Sequence, residues 1–324
     1  MLAYACAVAA ASPLANRYID LIENAVTGSL HDEAGRCIMG GDRYTCSATT
    51  GEDGKPVFAA YNSTLRLLGR DWPPYGHTMV GHMRLRNIRD LLQRVAKDKV
   101  EGDYVEMGVW RGGSCIYAKA VIDVELEQPE RHVHLLDAFG LVKDYNHGKG
   151  SSFLAVERDQ VRHNFEKYGL LDDRVHFHRG LFAETVPLFG AELRRQKRQI
   201  AVLRLDGNFY DTHLDAFYHL YELVPVGGFV IFDDGHHPEP KRAIVDFRRQ
   251  QSIPSSEWQL LDVDGNAKYM RKVAPLTVDP SKRPSVAPSA PRPQVPHVQA
   301  RKHHHDHPGH KAVHKTFRTG LFCS

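Results

Sequence analysis

Apolar and polar positions follow two rhythms along this chain. From Val100 onward, short apolar runs take turns with longer stretches in which apolar residues recur every three or four positions. The runs "GDYVEMGV", "HVHLLDAF", "RVHFHRG", "IAVLRLDG" and "GGFVIFDD" predict strands. Helices are predicted between them at "GSCIYAKAVIDVELE", "FLAVERDQVRHNFEKYG", "LFGAELRRQ" and "THLDAFYHLYELV", and beyond them at "KRAIVDFRRQQ". In "THLDAFYHLYELV" one face carries Leu214, Phe217, Tyr218, Tyr221 and Val224, so His213, Asp215, His219 and Glu222 are expected to point away. In "WQLLDVDGNAKYMRKV" two apolar runs flank Asp264-Gly265, a hairpin pattern.

Upstream, Tyr18, Ile19, Leu21, Ile22 and Val26 give "NRYIDLIENAVTGSL" a short helical face. Residues from Gly28 to about Pro56 are rich in Gly, Asp, Thr and Ser and read as a long surface loop. "DWPPYGHTMVGHMRLRNIRDLLQRVAKD" reads as a proline turn and then a helix, with Thr78 as its N-cap. Its apolar stripe is Met79, Met83, Leu85, Ile88, Leu91, Leu92 and Val95. Strands alternating with helices imply right-handed crossovers and an α/β, doubly wound, mostly parallel sheet, to which the terminal hairpin adds an antiparallel strand. That Rossmann-like outline is the usual one of class I methyltransferases, but an outline hosts many functions.

Composition changes the picture mainly at the ends. The 324 residues, 42% hydrophobic and 25% charged, suit an ordinary globular body. From Ala274 to Ser324, eight Lys/Arg face two Asp, and eight of the eighteen prolines fall there with "HHHDHPGHKAVH". This basic, Pro/His-rich segment reads as a disordered tail. The body is left mildly acidic, with no face suited to nucleic acid. The expected organisation is therefore an N-terminal helix and loop (1–60), a catalytic α/β domain (61–273) and the tail (274–324). Five scattered cysteines without Cys-x-x-Cys spacing fit a reducing compartment, hence the cytoplasm. No apolar run reaches the ~20 residues that span a bilayer. "MLAYACAVAAASPLANRY" lacks a positive n-region and reads as an ordinary extension. Expected partners are a small-molecule acceptor and, compatibly, further copies of the chain, without nucleic acid or membrane.

The chemistry concentrates where predicted strands end. "VEMGVWRGGS" places Glu106 at a strand end, then Gly108, Gly112 and Gly113 in a turn, then Ser114 at a helix start. Glycines let a backbone bend close to a ligand. This is not the G-x-G-x-x-G of dinucleotide folds, and a carboxylate beside the turn points to a ligand carrying positive charge, which S-adenosylmethionine (SAM) does. Asp137 ends the next strand, where an acid can accept both ribose hydroxyls of a nucleoside. Gly180 and Phe182 follow the third strand, as an adenine pocket wall or as core. Two strands joined by one helix end "RLDG" and "IFDDG". As parallel neighbours about 4.8 Å apart they bring Asp206, Asp233 and Asp234 together. Three unpaired carboxylates call for a cation, and an all-oxygen set suits Mg²⁺. His236 and His237, just beyond, would favour Mn²⁺ or stand behind the ligands.

With these residues in place the chain, from about Tyr18 to Val273, resembles the macrocin O-methyltransferase (TylF-like) family, whose members methylate sugar hydroxyls on macrolides and aminocoumarins. The resemblance rests on "GHTMVG", "VEMGVWRGGS", "NFEKYGLLDDRVHFHRGLFAET", "VLRLDGNFYDT", "GGFVIFDDG" and "AIVDFRRQ" in that order. It implies SAM and Mg²⁺ as cofactors, and Asp206, Asp233 and Asp234 as metal ligands. It also implies a SAM site lined by Glu106, Gly108, Ser114 and Asp137, with Thr78 and Met79 at the methionine end. The family pattern reads Asp-Gly-Asp, its second aspartate the presumed base, whereas this chain has Asn208. A neutral amide can orient a hydroxyl but not take its proton. The base is then water or a histidine (His236, His237 or His213), the acceptor is a more acidic catechol-like hydroxyl, or the protein is a non-catalytic SAM-binding module. The expected acceptor is a small molecule with vicinal hydroxyls, a sugar or polyketide glycoside.

Overall fold

The two rhythms resolve into one seven-stranded sheet with helices on both faces. The computed structural model describes residues 12–37, 55–140 and 153–285. The far N-terminus, the middle of the 28–56 loop and the tail beyond residue 285, with its histidine cluster, lie outside them. Helix α1 (Pro13–Val26) starts where the Ser12 hydroxyl accepts from the Ala15 amide, with Pro13 in the first turn. A two-stranded ribbon, β1 (Gly35–Arg36) with β2 (Phe58–Ala59), and the short helix α2 (Ser63–Leu68) follow. Next come α3 (His82–Lys97), β3 (Asp103–Met107), α4 (Gly113–Ala120), β4 (Val133–Asp137), α5 (Arg158–Lys167) and β5 (Val175–Arg179). The chain continues through α6 (Phe182–Gln196), β6 (Ile200–Leu205), α7 (Tyr210–His219), β7 (Phe229–Phe232) and α8 (Pro238–Gln250). The hairpin β8 (Leu261–Asp262) and β9 (Lys268–Arg271) closes the sheet.

Strand order is β5-β4-β3-β6-β7-β9-β8. The first five are parallel and β9 runs antiparallel to β7, as the hairpin pattern predicts. Order reverses between β3 and β6, the switch point at which folds of this kind open a ligand crevice. One core packs Ile19, Ile22 and Val26 of α1 with Leu85, Ile88, Leu91, Leu92 and Val95 of α3 against one face of the sheet. The other lies under α6, α7 and α8 around Phe217, Phe232 and Phe247. Each of these large side chains contributes about 1.5–3 kcal/mol by leaving water.

Four details differ from expectation. Thr78 does not cap α3, which starts after Gly81. A Cβ at Gly81 would stand 2.2 Å from the Gly69 amide nitrogen, so close backbone packing, and not side-chain capping, sets that start; the Thr78 hydroxyl accepts from Val80 instead. The helix after the glycine turn is α-helical only to Ala120 and ends in a π turn, Val121–Glu125. Cys37 is disulfide-bonded, contrary to the reading of reduced cysteines, while Cys115 is a buried free thiol. Beyond the boundary expected at Val273 the chain still packs: Leu276 and Val278 enter the second core, and Arg283 pairs with Asp215 at 2.5 Å. Likewise α1 is part of the first core. Among the described residues no helix is long and apolar enough to cross a membrane.

That C-terminal strap covers part of the side of α7 that the pattern leaves polar, through Arg283 on Asp215. His213 and Asp215, expected outside, are buried. His213 Nδ1 lies 3.1 Å from the Phe209 carbonyl, its Nε2 has no hydrogen-bond partner among the described residues, and its ring sits beside Phe217 and Phe232. Burial pushes its pKa down to about 4. A histidine depressed in the folded state stabilises fully above its unfolded value, and that contribution is lost as pH falls from about 6.5 through 4, a swing of about 3 kcal/mol. His213→Phe should therefore flatten the loss of stability across that window, read as urea midpoints at pH 7 and 4.5. Equal losses in parent and variant would contradict this.

Candidate active site

The crevice is built on the carboxyl ends of β3, β4, β6 and β7. Gly108, just past β3, has φ +87°, and a Cβ there would meet the Asp206 carbonyl at 2.3 Å. Only glycine lets the two strand ends approach so closely. Asp137 pins the turn: its two carboxylate oxygens accept the Val109 and Phe139 amides, each at 2.9 Å. Burial raises its pKa despite these donors. Thr78 reaches the same turn, since the Gly113 amide donates to the His77 carbonyl at 2.9 Å and a Cβ on Gly113 would touch the Thr78 side chain. Met79 packs beside it against the first core. Gly180 (φ +147°) and Phe182 follow β5, with the Phe182 ring beside Gly207.

Glu106 is not a surface carboxylate waiting for a cationic ligand. It is 0% exposed, opposite Arg204 in the β3–β6 register. Arg204 donates to it at 2.7 Å, Ser114 at 2.5 Å and Tyr104 at 2.6 Å. Ser114 thus orients Glu106 from the start of α4.

The second corner gathers Asp206, Asp233 and Asp234, whose ligand atoms lie within 4.8 Å of one another. They are not unpaired, as the sequence suggests. Arg204 bridges Asp206 at 2.9 Å and Asp233 at 2.5 Å. Arg84 spans Asp233 at 2.6 Å and Asp264 at 2.7 Å. Two guanidiniums thus face five carboxylates: Glu106, Asp206, Asp233, Asp234 and Asp264. The deficit registers in the titration. Burial, then the Asp233 charge, lifts Asp206 well above the carboxylate range, and Asp234 is raised for the same two reasons. Burial also works against Asp233, but Arg204 and Arg84 outweigh it and hold Asp233 low. A partly buried all-oxygen set with excess negative charge fits a hard divalent cation.

Around this corner His236 and His237 are exposed, their rings in edge contact at 4.2 Å. His237 Nε2 lies 3.8 Å from Asp234. Burial, then His237, lowers the His236 pKa, leaving it neutral near pH 7. Asn208 is half-buried on the loop between β6 and α7. Buried His213 is removed from the list of bases. Sequence reasoning missed Arg204, Arg84 and Asp264. Arg204 had a signal, a cation inside the apolar run "IAVLRLDG" that could be buried only against acids. Arg84 had none among the basic residues of α3, and Asp264 read as a turn residue.

This geometry has relatives. The model of the macrocin O-methyltransferase (TylF) family matches residues 15–272. A tetracenomycin-C rhamnosyl 4'-O-methyltransferase of Streptomyces olivaceus is 35% identical over 268 residues, covering 79% of this chain and 93% of the relative. The mycinamicin III 3''-O-methyltransferase of Micromonospora griseorubida is 31% identical, covering 79% and 96%. Among solved structures, the O-methyltransferase NovP superposes with a TM-score of 0.66 at 31% identity, covering 80% of this chain and all of NovP. The chain belongs to the macrocin O-methyltransferase family and is a SAM-dependent O-methyltransferase of the class I α/β fold.

Proposed function

We propose that this enzyme methylates a sugar hydroxyl of a glycosylated small molecule, with Mg²⁺, or Mn²⁺, held by Asp206, Asp233 and Asp234. The carrying observation is that a glycine turn and an electrostatically undercompensated carboxylate trio share one crevice at the switch point. The relatives' names, a rhamnosyl 4'-O- and a mycinamicin 3''-O-methyltransferase, support a glycoside over a catechol.

Gly108 and Ser114 would form the wall that holds SAM, with Glu106 behind it setting the position of Ser114 and Arg204. Thr78 and Met79 flank the methionine end. Asp137, at the end of β4 in the crevice, is placed to meet the ribose hydroxyls, and Gly180 and Phe182 would border the adenine. When bound, SAM supplies the methyl group and the cation acidifies an acceptor hydroxyl. Asn208 orients that hydroxyl, and His236 or His237, at the rim, takes its proton. Arg204 ties Asp206 to Asp233 and Arg84 ties Asp233 to Asp264, which holds two of the three ligands in place, and positioning of this kind carries much of the rate.

A base contributes about 10²–10⁴-fold. Replacing both His236 and His237 with Gln should therefore lower kcat about 100-fold and remove its rise with pH, while Asn208→Asp stays within about tenfold of the parent. Activity confined to Asn208→Asp would instead support a non-catalytic SAM-binding module, the reading that Asn208 itself favours.

A further inference from the structure

Four histidines line one face of the sheet at its β5 edge. His134 of β4 and His176 and His178 of β5 alternate with residues of the opposite face, and His132 precedes β4 in the same phase. His132 lies five residues before Asp137, about 16 Å down the strand from the crevice. The rings zigzag between the strands, with centroid separations of 5.4 Å for His178–His134, 4.7 Å for His134–His176 and 5.0 Å for His176–His132. His132 Nδ1 meets His176 Nε2 at 2.8 Å, and His134 Nδ1 meets His178 Nε2 at 3.2 Å. Behind them His134 Nε2 lies 3.3 Å from the fully buried Asp103, which Arg198 and the His132 amide also hold. Catalysis uses none of these residues.

We propose that His132, His134 and His176 form a second metal site, for Zn²⁺ or another borderline divalent ion. One nitrogen from each already lies within 4.8 Å of the other two. Imidazole donors suit Zn²⁺, Cu²⁺ and Ni²⁺ and not the hard ion of the carboxylate corner. Asp103 plays the part that carboxylates take behind ligating histidines, fixing the ring of His134. His132 Nδ1 and His176 Nε2 already face each other across a hydrogen bond, whose proton a bound ion would displace to water. His132 and His176 are half-exposed, which gives an ion a way in. A bound ion ties edge strand β5 to β4 and raises stability by mass action.

The test uses the full chain with the histidines from His297 to His314 changed to Gln, which removes the tail as a competing chelator. With His236 and His237 also changed to Gln, one equivalent of Cu²⁺ should show nitrogen hyperfine splitting in its EPR spectrum, which the carboxylate corner without its neighbouring imidazoles cannot produce. Zn²⁺ should raise the unfolding temperature. His132→Gln together with His176→Gln should abolish both effects and leave the circular dichroism spectrum and SAM affinity unchanged. His132→Gln alone, at the half-exposed strand start, serves if the double variant does not fold. Asp103→Asn should weaken Zn²⁺ binding about 10–100-fold. A parent spectrum without nitrogen splitting, or nitrogen splitting retained in the histidine variants, would overturn the site.

Discussion

Asp206→Asn should lower kcat by about three orders of magnitude, the equivalent of the several kcal/mol that a bound cation supplies. The fold should remain as stable as the parent's or gain slightly. Both expectations come from one cause. Asp206 sits among Asp233, Asp234 and Glu106, and its raised pKa records the energy of burying it beside like charges. Removing that charge relieves the folded protein while taking a ligand from the cation. The check is kcat with saturating SAM beside a urea unfolding curve. A variant that loses stability and activity together would mean that Asp206 is structural.

Arg204→Met should do the opposite, costing about 3–5 kcal/mol of stability because it strands acids that the guanidinium now satisfies. Arg204 is 1% exposed and donates to Glu106, Asp206 and Asp233 at once. Burial argues against a charge there, yet the three carboxylates raise its pKa well above its ordinary value. Arg204→Lys keeps the charge without the planar fork and should fall between parent and Met variant. The measurement is again the urea midpoint at neutral pH, and a loss below about 1 kcal/mol would show that the acids find other partners or take protons.

The reach of the sequence follows from what periodicity encodes. Buried parallel strands leave apolar runs and covered helices leave stripes, so the five parallel strands and the hairpin around Asp264-Gly265 were legible. So was the meeting of "RLDG" with "IFDDG", because a single crossover helix makes neighbours of consecutive strands. The partners of those acids were not. Arg84 comes from a helix that precedes the sheet, Asp264 from the hairpin turn, and Arg204 from within the strand. Nothing local tells a paired acid from a free one. The faces of α7 were misread for a related reason: Arg283, on a strap arriving from Leu276, covers Asp215, and Phe232 of β7 covers His213. The histidine ladder needed the β4–β5 register, which pairs His134 with His176.

The central claim is metal-assisted methyl transfer to a glycoside hydroxyl. Its most direct test follows label from methyl-labelled SAM into a panel of deoxysugar glycosides, first in excess EDTA and then with Mg²⁺ restored. The account predicts transfer to at least one glycoside that falls to background in EDTA and returns with Mg²⁺. Transfer that persists undiminished in EDTA would contradict it.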